Sequence, residues 1–376
     1  MAVLAVKRDP PVSNNTALPP CAHRNWARRA IAILDAESRR SADTNLVYLP
    51  TPGLKGISVY LKDESTHPTG SLKHRLAKSL FLYGICNGWI REGMTMVEAS
   101  SGSTAVSEAY YARLLGLPFY AVMPCTTSQQ KIAAIRAQGG HCRLVDDPRT
   151  IYAEAVRLAA ETGGHYLDQF TYAERATDWR GNNNIAESIF SQMRSEPDAV
   201  PAWIVMSAGT GGTSSTIGRY IRLCNHATKL CVADVEHSAF YDGWLTRDPA
   251  TTCDLPTRIE GVGRPQVEKS FMPDVIDHMV KVPDVASLAA MHVLSRHLGR
   301  RVGGSTGTNF YGLCQIAACM RAAGETGSIV TLICDGGERY GETYYNDAWL
   351  IQNGFDITPE VDRLEQFLAG KSALFT

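Results

Sequence analysis

The first residue of this sequence placed to do chemistry is a lysine. It lies in His67-Pro68-Thr69-Gly70-Ser71-Leu72-Lys73-His74-Arg75, soon after the alternating run Ile57-Ser58-Val59-Tyr60-Leu61-Lys62. The alternation predicts a strand. Pro68 and Gly70 end it in a tight loop. Ser71 is placed to cap a following helix whose apolar side carries Leu72, Leu76, Leu80 and Phe81. Lys73 then falls in the first turn, where the aligned amide dipoles already give positive potential. An ammonium held there, partly desolvated, gives up its proton more readily. It becomes an amine nucleophile suited to a Schiff base with a carbonyl compound. The plain alternative is a surface lysine whose stem covers apolar neighbours.

The second candidate is the turn Ser207-Ala208-Gly209-Thr210-Gly211-Gly212-Thr213. The apolar run Ala202-Trp203-Ile204-Val205-Met206 before it suits a buried strand. Ile217, Tyr220, Ile221 and Cys224 follow at helical spacing. Glycines let the N–H groups of such a turn converge at a helix start, which makes a phosphate site of Gly209, Thr210, Gly211, Gly212 and Thr213. The turn lacks the Lys-Ser/Thr ending of a nucleotide phosphate loop and the spacing of a dinucleotide fingerprint, which favours a phosphate monoester. Taken alone, it also fits a glycine turn needed only for close packing. A third stretch, Glu98-Ala99-Ser100-Ser101-Gly102-Ser103-Thr104-Ala105, offers hydroxyls and N–H groups at another helix start and suits a carboxylate, with Ser100, Ser101, Gly102 and Thr104 as ligands.

The elements that must position these loops alternate along the chain. Strands are predicted at 94–98, 119–124, 141–145, 230–234 and 328–334. Helices are predicted over 104–115, through Ile132 and Ile135 to Gly139, and over 153–160. Strand-helix alternation implies parallel sheets covered on both faces. At 376 residues the chain exceeds the usual single-domain size. Two doubly wound, three-layer α/β domains with a cleft between them are the economical architecture. Ligands would sit beyond the carboxyl ends of the strands, where all three loops lie. The smaller domain is expected over 51–175. The larger is expected over 23–50 plus 176–376, and residues 1–22 read as a disordered tail rich in Pro, Asn and Thr. Trp26, Ala30, Ile33 and Leu34 predict an amphipathic helix that ends in a solvated charged run, Glu37-Ser38-Arg39-Arg40.

Composition excludes several classes of partner. A formal net charge of −1 gives no electrostatic case for nucleic acid or an anionic membrane. No apolar run is long enough to span a bilayer. The ten cysteines contain no CxxC pair, and Met1–Pro10 has no apolar core of a secretory signal. Reduced thiols in a cytoplasmic protein are the reading. Cys21 and His23 lie close together, but a polar chain end is preferred to a metal site there, and no metal is expected.

Pro68–Arg75 resembles the cofactor-lysine motif of the fold type II pyridoxal-phosphate enzymes, the cysteine synthase and cystathionine β-synthase family. Glu98–Ala105 resembles its substrate-carboxylate loop and Gly209–Thr213 its phosphate loop. Ile259-Glu260-Gly261-Val262-Gly263 and Gly304-Ser305-Thr306-Gly307 are similar to later family segments. The motifs run in order from about Leu49 to Tyr340. Within the family, Thr66–Arg75 and Asp178-Trp179-Arg180-Gly181-Asn182-Asn183-Asn184-Ile185-Ala186-Glu187 look most like bacterial L-cysteine desulfhydrases.

The resemblance implies a two-domain fold with the cofactor, pyridoxal 5'-phosphate, in the cleft. It implies that Lys73 holds the cofactor through its amine and later takes the α-proton of the substrate. Gln169 matches a residue near the substrate carboxylate, and Gly261 a backbone contact to the cofactor ring. Two positions depart from the family. Ser103 stands where an asparagine usually contacts the ring hydroxyl. The partner of the pyridine nitrogen, usually Ser or Thr, aligns with Asp335 or with Gly336, and Asp335 is preferred. His74 and Arg75 are carried away from the cofactor by one turn of helix and read as structural.

The expected reaction is β-elimination on L-cysteine, giving hydrogen sulfide, pyruvate and ammonia, by a homodimer. β-Replacement of the cysteine synthase or cystathionine β-synthase kind is the alternative. A non-catalytic protein that keeps the cofactor and amino-acid pocket is a second.

Overall fold

The computed structural model describes residues 21–41, 43–181 and 184–372. Residues 1–20 of the expected tail, the Cys21 side chain, and Asn182 and Asn183 lie outside them. Among the described residues the strands are β1 (Asn45–Leu49), β2 (Ile57–Asp63), β3 (Met96–Ala99), β4 (Phe119–Pro124), β5 (His141–Val145), β6 (His165–Tyr166), β7 (Trp203–Ser207), β8 (Lys229–Val235), β9 (His278–Val282) and β10 (Gly327–Ile333). The helices are α1 (Cys21–Ser41), α2 (Lys73–Cys86), α3 (Ser103–Leu114), α4 (Gln129–Ala137), α5 (Ile151–Thr162), α6 (Gln169–Ala176), α7 (Ile185–Met193) and α8 (Gly212–Leu223). They continue with α9 (Phe240–Thr246), α10 (Asp284–Leu298), α11 (Gly304–Ala323), α12 (Asp347–Gln352) and α13 (Thr358–Leu368).

The strands form two sheets, in the orders β1-β2-β10-β7-β8-β9 and β5-β4-β3-β6. All pairings are parallel except β1 with β2. The three-layer build follows from period-two alternation in strands that are apolar on both faces. In β10, Ile329 and Ile333 enter the core beneath α10 and α11, while Val330 and Leu332 enter the core beneath α7 and α8. Neighbouring strands repeat the division. Val205 and Cys231 point one way, and Ile204, Met206 and Val232 the other. Each fully buried aliphatic side chain contributes about 1.5–3 kcal/mol, so the sheet is anchored from both sides. In the small sheet, Phe119, Ala121 and Met123 face a core shared with α1, α2 and α3, and Val97 and Val122 face α5.

Sheet membership differs from the expected division in two places. β2 lies within the span given to the smaller domain, yet it pairs with β10 in register Ile57 to Gly327. Helix α1, given to the larger domain, inserts Trp26, Ala30 and Leu34 into the core of the small sheet. Local periodicity specifies that a segment is a strand or helix, but not which distant partner it joins. Ile33 is turned outward.

The charged run at the end of α1 is also not wholly solvated. Glu37 is buried, accepting hydrogen bonds from the Tyr111 hydroxyl at 3.2 Å and the Tyr110 hydroxyl at 3.3 Å, with the His74 ring at 3.2 Å. These partners replace the water that a buried carboxylate gives up. They also turn α2, whose buried face is His74, Ala77, Phe81 and Ile85, with Leu72 and Leu76 only half-buried.

Candidate active site

The loops that follow β2, β3, β7 and β10 at their carboxyl ends open into one cavity of about 360 Å3. Ser100, Ser101, Gly102, Ser103, Thr104, Gln169, Gly209, Thr210, Gly211, Thr213, Gly261 and Asp335 all line it together with Lys73; Gly212 lies just behind, against a second cavity. Segments far apart in the chain are thus gathered at the end of two parallel sheets.

Lys73 is the first residue of α2. Its ammonium has no hydrogen-bond or ion-pair partner among the described residues. Burial pushes its pKa down and the nearby Arg264 cation adds to this, against the Cys334 thiol, Glu108 and Glu98, which favour the charged form. Of the two causes the sequence suggested, desolvation dominates. Ser71 does not cap α2. It forms a bridge with Asp335, and its buried hydroxyl has no partner. The Leu72 N–H donates to the Cys334 carbonyl at 2.8 Å, so the lysine loop is tied to the end of β10.

The glycine turn is required by packing and by its own backbone. Gly211, at the start of α8, has φ +86°, and a Cβ there would lie 2.5 Å from the Phe271 Cα. A Cβ on Gly209 would lie 2.3 Å from the Gly261 carbonyl oxygen and 3.9 Å from Lys73 Nζ. Both positions exclude a side chain. The close-packing reading of this turn therefore holds alongside the ligand reading. At the start of α8 the Gly212 N–H donates to Thr210 Oγ1 at 3.2 Å, and Thr213 lines the cavity at a helix start that favours an anion.

In the third loop, the Thr104 hydroxyl donates to Gln169 Oε1 at 2.8 Å, which joins the loop to the start of α6. Ser100 Oγ accepts from the Gly102 N–H at 3.3 Å. Ser103 Oγ accepts from Arg339 at 2.7 Å. Asp335 lines the cavity and Gly336 does not. Asp335 Oδ2 accepts from the Tyr340 hydroxyl at 2.8 Å and pairs with Arg339 at 3.1 Å, while Oδ1 is buried with no partner among the described residues. Burial pushes this carboxyl up, and the Arg339 guanidinium opposes that.

Sequence reasoning gave no role to three cations of the cavity. Arg339 spans the cleft from Asp335 to Ser103. Lys131 of α4 pairs with Glu260 at 2.8 Å, and Arg264 lies 4.1 Å over the Phe170 ring and hydrogen-bonds the Tyr152 hydroxyl. Lys131 carries no local signal, because its partner Glu260 is remote in sequence, while Arg264 has a local pair in Glu268 at 2.8 Å. His74 and Arg75 do turn away. His74 stacks on His67 at 4.9 Å, and Arg75 pairs with Glu64 at 2.6 Å.

The unpaired atoms of this cavity describe what it fits. The Lys73 amine, Ser71, Ser207, Asp335 and the start of α8 surround one space. An aldehyde that carries a polar ring and a phosphate would use each of them.

Comparison with known proteins agrees. The family model described as pyridoxal-phosphate dependent enzyme matches residues 38–335. The chain is 58% identical over 348 residues to L-cysteine desulfhydrase Cds1 of Mycobacterium tuberculosis (strain ATCC 25177 / H37Ra), covering 92% of this chain and 95% of that protein. It is 26% identical over 318 residues to a cysteine synthase of Dictyostelium discoideum, covering 81% and 82% of the two chains. The crystal structure of O-ureido-L-serine synthase superposes with a TM-score of 0.71 at 26% identity, covering 85% of this chain and 98% of that one. The motifs, the two-sheet fold and a family match over most of its length place one conclusion beyond the individual relatives: the chain belongs to the pyridoxal-phosphate dependent enzymes of fold type II.

Proposed function

We propose that this enzyme carries out β-elimination on L-cysteine, releasing hydrogen sulfide and leaving a product that hydrolyses to pyruvate and ammonia. One observation carries the reading. The unpaired Lys73 amine shares its cavity with the Ser100–Thr104 loop, in a chain 58% identical to an L-cysteine desulfhydrase. Pyridoxal phosphate supplies a carbonyl for the substrate amine and an electron sink for the α-carbon. The phosphate belongs at Gly209–Thr213, where Gly212 contributes its backbone. Gly261 and Ser103 would lie beside the ring, and Asp335 would be the partner of its nitrogen. Ser100, Ser101, Gly102 and Thr104 take the substrate carboxylate, with Gln169 holding Thr104 in place. Lys73, kept short of its ordinary basicity by burial, takes the α-proton and returns a proton later in the cycle.

The alternative is β-replacement, favoured by the likeness to cysteine synthase and O-ureido-L-serine synthase. Purified holoenzyme given L-cysteine alone decides between them. Stoichiometric sulfide and pyruvate support elimination, whereas turnover only with an activated serine and an added nucleophile supports replacement. The family resemblance also supports a cytoplasmic homodimer. Sedimentation at twice the chain mass checks the oligomer. Among the described residues no helix is long and apolar enough to cross a membrane.

A further inference from the structure

Beneath the substrate-carboxylate loop lie two fully buried carboxyl groups that the proposed chemistry does not use. Glu98 is the next-to-last residue of β3 and Glu108 sits on α3, and both have no exposed surface. Glu98 Oε1 accepts from the Ala99 N–H at 2.8 Å, and Oε2 accepts from the Gln169 N–H at 3.1 Å. One carboxylate thereby fixes the first residue of the loop and the residue that holds Thr104. Glu108 has no N–H or O–H donor on either oxygen among the described residues, and its carboxyl meets that of Glu98.

Two anions cannot share such a site, so the pair keeps a proton. Glu98, with two N–H donors, is the ionised member. Glu108 is the acid whose O–H donates to it. Neither side chain lines the cavity, so both act through the loop.

We infer that the Glu98–Glu108 pair is a positioning device, in which a protonated Glu108 holds Glu98 so that the Ala99–Thr104 loop and Gln169 stay in register for the amino-acid carboxylate. This rests on the reading of that loop given above. With Glu108 protonated, its O–H joins Glu98, which accepts from the Gln169 N–H, and Gln169 Oε1 accepts from the Thr104 hydroxyl.

Burial pushes both carboxyls up, and the Glu98 charge pushes Glu108 further above the carboxylate range. Asp168 at the start of α6 raises Glu98 further. Lys73 on α2 opposes the rise at Glu108, and the phenols of Tyr152 on α5 and Tyr166 on β6 face the same charges. Losing the shared proton at alkaline pH sets two anions against each other and loosens the loop.

The test uses holoenzyme of the wild type, Glu108→Gln, Glu108→Leu and Glu98→Gln, with KM and kcat for L-cysteine from pH 6.5 to 9.5. Thermal unfolding is followed over the same range. Glu108→Leu and Glu98→Gln are expected to raise KM about tenfold, more than they lower kcat, as expected when a charge-assisted hydrogen bond is lost. The Glu108→Gln amide donates the same hydrogen bond with no proton to lose. It is expected to rescue most of that loss and to flatten the alkaline rise in KM and the alkaline fall in Tm seen in the wild type. The thiol and amine of the substrate titrate alike for every variant, so the variant-to-wild-type ratio isolates the pair. An alkaline limb of the same size in Glu108→Gln and wild type, in both KM and Tm, overturns the inference. If the wild type makes no sulfide, the proposed function fails, and the Tm profiles still decide whether the pair shares a proton.

Discussion

Arg339 offers a quantitative perturbation that needs no ligand. Its guanidinium lies 3.1 Å from Asp335, donates to Ser103 at 2.7 Å and to the Tyr340 hydroxyl at 2.6 Å. Arg339→Met keeps the stem and removes the cation. Removing one partner of a buried ion pair costs about 3–5 kcal/mol, because the other charge is left without compensation. The Arg339 side chain is 33% exposed and Asp335 8%, so water screens part of the pair. The expected loss falls to about 2–3 kcal/mol. Asp335→Asn keeps an acceptor for Tyr340 and removes the orphaned charge. Arg339→Met with Asp335→Asn should therefore recover more than half of the loss of Arg339→Met alone. The assay is the urea midpoint of the cofactor-free protein for the four members of the cycle. A single variant as stable as wild type, or a double variant whose loss equals the sum of the singles, refutes the view of Arg339 as the compensating charge of the cleft. The same variant should raise KM for L-cysteine, since Ser103 loses its tie across the cleft.

Gly211→Ala forces a positive φ on alanine and drives its methyl against the Phe271 backbone. Strain and overpacking together are about 2–5 kcal/mol, spent at the phosphate end, so cofactor affinity is expected to drop at least thirtyfold; fluorescence titration of the apoprotein checks this. Asp234 is buried on β8 and accepts from the Tyr241 N–H at 2.8 Å, and burial pushes its carboxyl up to about 6 from 3.8. The folded protein binds the proton more tightly than the unfolded chain. This group's contribution is therefore full below pH 3.8 and is lost as pH rises to about 6, by about 3 kcal/mol. Asp234→Asn should flatten that part of the stability profile in urea titrations from pH 4 to 7, and an unchanged slope would contradict the assignment.

Much of this molecule was readable before its structure. β4 and β5 run over the residues the sequence marks, because each is short and starts just after Pro118 or Gly140. The three loops converge as expected because parallel sheets send all their carboxyl ends one way. What stayed hidden depends on partners remote in sequence. The pairing of β2 with β10, the seat of α1 on the small sheet and the burial of Glu37 are tertiary choices that no local window contains. Ser71 looked like a helix cap by residue type, but its backbone bridges to Asp335 and its hydroxyl is buried away from the helix N–H groups. The cations of the cleft were missed for the same reason. A charged residue on a polar helix face reads as solvated until the opposing carboxylate is seen, as with Lys131 and Glu260.

The central claim is that the Lys73 amine is the covalent anchor of the cofactor and the base of the reaction. Absorbance of Lys73→Ala after incubation with pyridoxal phosphate and desalting, with and without L-cysteine, tests it most directly. The account expects no visible colour to survive desalting in the absence of an amino acid, and sulfide release lowered by at least a thousandfold. A Lys73→Ala protein that stays coloured like wild type and releases sulfide at the wild-type rate would contradict it.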